Sequence, residues 1–233
     1  MNIPDDLLQL LRECDTPTVC NAIEVAQGQR GFADFTKSTM LSSAPEDGPI
    51  VGFARTARIA GRSAPSEPLE DIRSRRLAYF RSMASGPRPA IAVVEDADYP
   101  GSVAAWWGEV HSAVHKGLGL TGALTNGVMR DLGDIEPGFQ VVAGSIGPSH
   151  GHVHVRDIGS PVEIFGLGIS QGDLVHADRH GAVVIPPDVI PGLRAAIETL
   201  LASEQIILGP ARQAGFDIEQ LETAWAAFER ART

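Results

Sequence analysis

Residues 107–131 place the tightest constraint on what this sequence can fold into. A carboxylate at Glu109 and an Arg-Asp pair at 130–131 are separated by twenty residues that read as one helix followed by one buried strand. Gly108 precedes the helix, and Ala113, Val114 and Leu118 recur at helical spacing, so a helix is expected from Glu109. Gly117 and Gly119 stop it, and the apolar run 118–124 has the length and character of a buried strand. Asn126-Gly127 then makes a sharp turn and delivers Arg130-Asp131 at the strand's far end. A helix folded back along its own following strand returns the chain to its starting point. Glu109, Arg130 and Asp131 can therefore share one pocket.

Those residue types suggest a chemistry. Neighbouring carboxylates, here Glu109 and Asp131, can hold a hard divalent cation such as magnesium, directly or through water. The Arg130 guanidinium matches a carboxylate or an enolate oxygen in paired, planar hydrogen bonds. Backbone N–H groups at the helix start, Gly108, Glu109 and Val110, add an anion seat. Together they would bind a small 2-oxo acid and stabilise the enolate formed from it. The same Arg-Asp pair is also what a surface ion pair or a helix start looks like.

The spacing acidic-x20-Arg-Asp, with Trp107-Gly108-Glu109 before the helix and Asn126-Gly127-Val128-Met129-Arg130-Asp131 after the strand, resembles the RraA-like family. That family includes class II pyruvate aldolases acting on 4-hydroxy-4-methyl-2-oxoglutarate and 4-carboxy-4-hydroxy-2-oxoadipate, and protein regulators of ribonuclease E activity. Thr16-Pro17-Thr18-Val19 is similar to the family's first capped helix. Residues 172–178 and 181–186 are similar to its last two core strands, so the likeness spans residues 14–205. It implies an α/β fold, a ββα sandwich of the swivelling phosphohistidine-domain type, as a single domain over 1–233 with C-terminal helices in 187–230. It also implies a homotrimer or a pair of trimers, with active sites between subunits. Asp131 would hold Mg2+ or Mn2+, Arg130 and Glu109 would bind substrate and act in catalysis, and Glu204 would come from a neighbouring subunit's C-terminal helix. The implied reaction is cleavage of a 4-hydroxy-2-oxo acid to pyruvate and a second carbonyl product through a pyruvate enolate. Oxaloacetate decarboxylation passes through the same enolate. The rival expectation is an interaction module that binds a protein partner and catalyses nothing.

Several residues depart from the family pattern. Asn126 stands where Asp is common, Glu109 is one carbon longer than the aldolases' Asp, and acidic residues with Tyr99-Pro100 replace a glycine-rich segment at 95–100. No role is carried over to Asp96 or Asp98.

The remainder of the chain fits one large α/β domain, with 233 residues, 43% of them hydrophobic, and no low-complexity linker. A net charge of −10 argues against a nucleic-acid surface and is compatible with an acidic interaction module. The basic run at 73–76 lies in a helical pattern and reads as a solvated face. Cys14 and Cys20 give no disulfide framework, and without a signal segment or an apolar run of spanning length a cytoplasmic protein with no membrane contact is expected. Helices are expected at 5–13, from Thr16 as N-cap to 26, at 69–83 with Ile72, Leu77 and Phe80 inward, and at 187–204 and 218–230. Strands are expected at 50–60, 90–94, 139–142, 152–155, 162–165, 173–176 and 182–185.

The histidines form two patterns. His150, His152 and His154 alternate as one face of a strand would, a set that could bind zinc or serve hydrogen bonding at an interface. His111 and His115 stand at i and i+4 on the central helix, another ligand spacing. His180 falls in a tight turn and is expected to be structural or at a subunit contact.

Overall fold

Among residues 3–231, the part of the chain that the computed structural model describes, apolar runs and helical periods become thirteen strands and six helices. The chain begins with α1 (Asp5–Glu13), α2 (Thr16–Gln27), β1 (Leu41–Ser42) and the long β2 (Ile50–Ala60). Next come α3 (Leu69–Ala84), β3 (Ala90–Asp96), β4 (Ala105–Trp107), α4 (Glu109–Gly117), β5 (Leu120–Thr125) and β6 (Val128–Met129). A strand-only block follows: β7 (Gln140–Ala143), β8 (Ser145–Ile146), β9 (His154–Ile158), β10 (Val162–Ile164), β11 (Leu167–Ile169), β12 (Leu174–Asp178) and β13 (Gly181–Ile185). Helices α5 (Ile190–Ala211) and α6 (Ile218–Ala231) end the described chain. No helix of the described residues is long and apolar enough to cross a membrane.

By its contacts the chain groups into two units. One holds residues 34–185 with 11–16, and the other holds the described residues before 11, 17–33 and those from 186 onward. The first unit is built on a sheet ordered β1-β7-β5-β3-β2-β12-β13. Its centre, β2, β3, β5 and β7, is parallel, and the β2–β3 and β3–β5 crossovers carry α3 and α4. Antiparallel strands extend both sides. Along one edge of β2, residues 50–53 pair with β12 and residues 57–60 pair with β9, with a register shift at Arg58/Ile59.

Both faces of this sheet are covered, which is why its central strands are predominantly apolar. Successive residues of β3 point to opposite sides. Ala92 and Val94 face Tyr79 and Met83 of α3 with Trp106 and Trp107, whereas Ile91 and Val93 face the β10–β11 hairpin through Val162, Ile164, Leu167 and Ile169. Hairpin, sheet and helices thus form a mixed α/β unit. In the second unit, α5 and α6 pack together.

Two expectations about local roles change. The Thr16 hydroxyl does not cap its own helix; it donates to His176 Nδ1 at 3.0 Å, while His176 Nε2 donates to the Leu11 and Cys14 carbonyls. Asp178 accepts from the Thr16 N–H at 2.8 Å and from His180 Nδ1 at 3.1 Å, so His180 is tied to its own turn. On α3 the buried residues are Tyr79 and Met83, whereas Leu77 is exposed.

Candidate active site

A second, three-stranded parallel sheet, ordered β4-β6-β8, brings the two ends of the central motif together. Trp107 is registered against Met129, and the Arg130 N–H donates to the Trp107 carbonyl at 2.8 Å. The next residue on one strand is Gly108, where α4 begins, and on the other Arg130. The sequence had suggested a return along the β5 strand; the pairing that achieves it is between the two short strands flanking that helix and strand. Neither stretch is long enough to announce itself as a strand.

At this junction the Asp131 carboxylate turns back onto the helix start, where Oδ2 accepts from the Glu109 N–H at 3.2 Å. An anion there is favoured by the unpaired N–H groups and the helix dipole. Two backbone features make the placement possible. Asp131 has φ +54°, and Gly108 is buried so closely that a Cβ would lie 2.4 Å from Asp131 Oδ2 and 3.1 Å from Arg130 Cγ. Arg130 Nε stands 3.6 Å from Asp131 Oδ2, too long for a hydrogen bond, and is buried without a hydrogen-bond partner among the described residues. The side chains of Arg130 and Asp131 are each about one-third exposed, so they border solvent. Glu109 and Val110, the next helical residues, are exposed.

Across the sheet end, Asn126 accepts the Asp96 N–H at 2.7 Å and ties β5 to β3. Burial pushes the Asp96 carboxyl above the usual carboxylate range. Asp98 is held below that range: burial opposes ionisation, but the Gly61 and Arg62 N–H groups donate to Oδ2 and prevail. Asp98 therefore fixes the backbone at 61–62. Glu204 lies half-buried on α5, in the other unit.

The inner face of α4 differs from expectation. Ala113 and Val114 are exposed, and the buried residues are Ser112 and His115. His115 donates from Nδ1 to the His111 carbonyl at 2.6 Å and accepts at Nε2 from the Tyr79 hydroxyl, also at 2.6 Å. With both nitrogens used, it is a clasp between α3 and α4, not a metal ligand. Burial pushes its pKa down to about 4. His111 packs on Trp106, with ring centroids 4.0 Å apart. Burial, then His115, Arg76 and Arg130, lower its pKa to about 3.

The histidine triplet is also rearranged. Only His154 lies in a strand, with His150 and His152 in the turn before β9, so the shared strand face does not exist. All three nevertheless line one pocket of about 470 Å³, together with Arg130, His111 and Arg76. Arg76, which the sequence presented only as part of a solvated basic run, reaches this pocket from α3. Among the described residues, no three His, Cys, Asp or Glu side chains are grouped to hold a metal ion, so the zinc reading of the triplet falls. The Asp131 carboxylate, which borders solvent, matches the needs of a different ion. Magnesium keeps much of its water shell and takes one or two protein carboxylates, and no protein cage is required.

A family model described as Aldolase/RraA matches residues 16–184, which contain both ends of this site. The chain belongs to the RraA-like family. Among solved structures, an uncharacterized protein from Pseudomonas syringae pv. tomato str. DC3000 is 19% identical, with TM-score 0.70 over 95% of this chain and 99% of that one. Streptomyces coelicolor RraAS2, described as an unusual member of the RNase ES inhibitor RraA protein family, is 22% identical, with TM-score 0.63 over 91% of this chain and 100% of that one. A structure described among novel cellulases from microbes associated with the gut ecosystem is 20% identical, with TM-score 0.69 over 88% of each chain. These likenesses establish the RraA-like mixed α/β fold, and their differing descriptions leave activity to be argued from the site. A search of curated proteins gave no match.

Proposed function

We propose that this RraA-like chain is a divalent-metal-dependent lyase. It would cleave a 4-hydroxy-2-oxo acid to pyruvate and a second carbonyl product through a pyruvate enolate, and decarboxylate oxaloacetate by the same route. The fold would be of the swivelling phosphohistidine-domain type, and the working form a trimer or hexamer with Glu204 contributed by a neighbour. The observation that carries the reading is the junction at Gly108: Asp131 is seated on the α4 start, and beside it Arg130 Nε is buried and unpaired.

Asp131, whose carboxylate lies against the Glu109 N–H, would hold Mg2+ or Mn2+, which when bound would supply Lewis acidity to the substrate's 2-oxo group. Arg130 binds the carboxylate and 2-oxo oxygens through its planar fork, and its charge gains value as the enolate develops. Glu109, exposed at the helix start, would position a water that passes the C4 hydroxyl proton to its carboxylate. The C3–C4 bond then breaks, its electron pair passing into the enolate as the C4–O bond becomes a carbonyl. Return of that proton through the water to C3 gives pyruvate. The test is pyruvate release from oxaloacetate and from 4-hydroxy-4-methyl-2-oxoglutarate, with and without magnesium or manganese. Arg130→Ala should lower the rate constant by about a hundredfold or more, the usual cost of losing one preorganised donor. Release that proceeds equally well in Arg130→Ala would sink the proposal.

One observation favours a second reading. A solved relative of this fold is described as belonging to a ribonuclease inhibitor family, and the chain's net charge of −10 suits an acidic protein-binding surface. Absence of any lyase or decarboxylase activity with both metals would shift the balance to that interaction module.

A further inference from the structure

We propose that the pocket walled by Arg76, His150, His152 and His154 is a second anion subsite, contiguous with Arg130. It would take the carboxylate of the non-pyruvyl half of a substrate whose body is apolar or aromatic. In assigning the pyruvyl half to Arg130 this rests on the lyase reading; the anion subsite itself does not.

The first argument is charge. The chain carries −10 overall, yet this pocket is lined by two guanidiniums and four imidazoles and by no carboxylate. Arg76 and Arg130 both line it, and Arg130 has only the neighbouring Asp131, 3.6 Å from its Nε, as a counter-ion among the described residues, so the lining itself is cationic. The second argument is unmet hydrogen bonding. Three buried nitrogens on the lining, Arg130 Nε, His111 Nδ1 and His154 Nε2, have no partner among the described residues. His154 is only 3% exposed, and its Nδ1 donates to the His152 carbonyl at 2.8 Å. That leaves Nε2 as the atom free for a ligand. Buried polar atoms without partners are rare in folded proteins, and three around one opening point to an absent ligand, for which the Arg130 Nε–H requires an acceptor.

The third argument is that the wall is built in advance. The His152 N–H donates to the Gly61 carbonyl at 2.9 Å, and a Cβ on Gly61 would come within 2.3 Å of the Ala104 side chain. Gly151, at φ +51°, would bring its own Cβ to 3.0 Å from that same Gly61 carbonyl. The loop backbone is pressed onto its neighbours, and the His150 and His154 rings are tied to the Gly151 and His152 carbonyls. Finally, Leu69, Ile72, Trp106 and Val110 form an apolar wall, and about 470 Å³ is far more room than a three-carbon acid requires.

The test uses the intact protein with magnesium and two probes followed by calorimetry. Oxalate, a planar mimic of the pyruvate enolate, reports on the Arg130–Asp131 end; phenylacetate reports on the new subsite. We expect saturable phenylacetate binding that Arg76→Gln and His154→Gln each weaken by about tenfold, the worth of one charge-assisted hydrogen bond, while oxalate affinity stays within about twofold. Arg76 is exposed on α3, so its variant remains informative should His154→Gln disturb folding. No phenylacetate binding to the parent protein, or binding unchanged in Arg76→Gln, overturns the proposal. So does stoichiometric zinc that survives dialysis of the parent and is lost from His154→Gln. Oxalate binding that ignores both magnesium and Arg130→Ala would instead defeat the lyase reading and leave the phenylacetate result standing.

Discussion

Asp131 sits at φ +54°, a backbone region that costs most side chains energy but that Asp and Asn tolerate through local hydrogen bonding. Asp131→Asn should therefore keep the fold and the contact to the Glu109 N–H while losing the charge. The expected result is a melting temperature near that of the parent with magnesium activation abolished, read by thermal melts and by pyruvate release against metal concentration. Asp131→Ala should show the same loss of activation together with a lower melting temperature, because alanine lacks both the acceptor and the tolerance for this φ. Gly108→Ala tests the opposite side of the junction. Its methyl would lie 2.4 Å from Asp131 Oδ2, so carboxylate or guanidinium must shift. A displacement of this order typically costs about a hundredfold in rate, and circular dichroism should show unchanged secondary structure. Parental turnover in Gly108→Ala would mean that the carboxylate's seat on α4 is irrelevant to activity.

Helices α3 and α4 are joined by a buried chain of donors: Trp106 Nε1 to the Tyr79 hydroxyl at 3.4 Å, Tyr79 to His115, and His115 to the His111 carbonyl. Tyr79→Phe leaves the His115 Nε2 buried without a donor and should destabilise the protein by about 1–3 kcal/mol in denaturant titrations. The clasp also predicts a pH dependence. His115 titrates near 4 and His111 near 3 when folded, against 6.5 for a free imidazole, so the unfolded chain takes up protons first. Stability should be present at pH 7, fall as the pH drops from about 6.5 toward about 3, and change no further from this source below the folded values. Melting temperatures that stay flat from pH 7 to pH 5 would contradict neutral, buried imidazoles. The clasp is also where sequence reasoning met its limit. Helical spacing puts Ala113, Val114 and Leu118 on one apolar face; Leu118 does pack against the core, but Ala113 and Val114 are exposed and the helix buries Ser112 and His115. Ser112 serves the Glu136 N–H, and His115 is satisfied on both nitrogens, so polar residues occupy the interior without penalty. The long strand 50–60 has the bounds its sequence suggested, although Arg55, Thr56 and Arg58 interrupt the apolar run. β4, β6 and β8 are two or three residues long and carry no period that could be read.

At the scale of the whole chain, the sequence anticipated that Glu109, Arg130 and Asp131 would meet, although the β4–β6 pairing that joins them could not be read from it. It gave no sign of the pocket beside them, because Arg76, Trp106 and the 150–154 turn come from three separate segments that only the tertiary fold assembles. The surface near the junction predicts further assembly. Val103, Val110, Leu132 and Ile146 are all between 44% and 64% exposed, more apolar surface than one region of a monomer usually leaves open. A trimeric or hexameric mass is expected by light scattering at micromolar concentration, with Ile146→Glu shifting it toward monomer and lowering pyruvate release in parallel. A monomeric parent protein would argue against a site shared between subunits.

The Arg130 end of the pocket hangs on the small parallel sheet, whereas His154 hangs on β9, which holds one edge of β2 over only residues 57–60. If the chain is the lyase proposed above, bond-breaking chemistry and ligand preference would be separable traits in this architecture. A library randomised at position 76 and through 150–154 would then explore new leaving groups while the Arg130–Asp131 corner stays untouched. Selection for a different substrate could proceed on this scaffold without first dismantling the corner to which the chemistry is assigned.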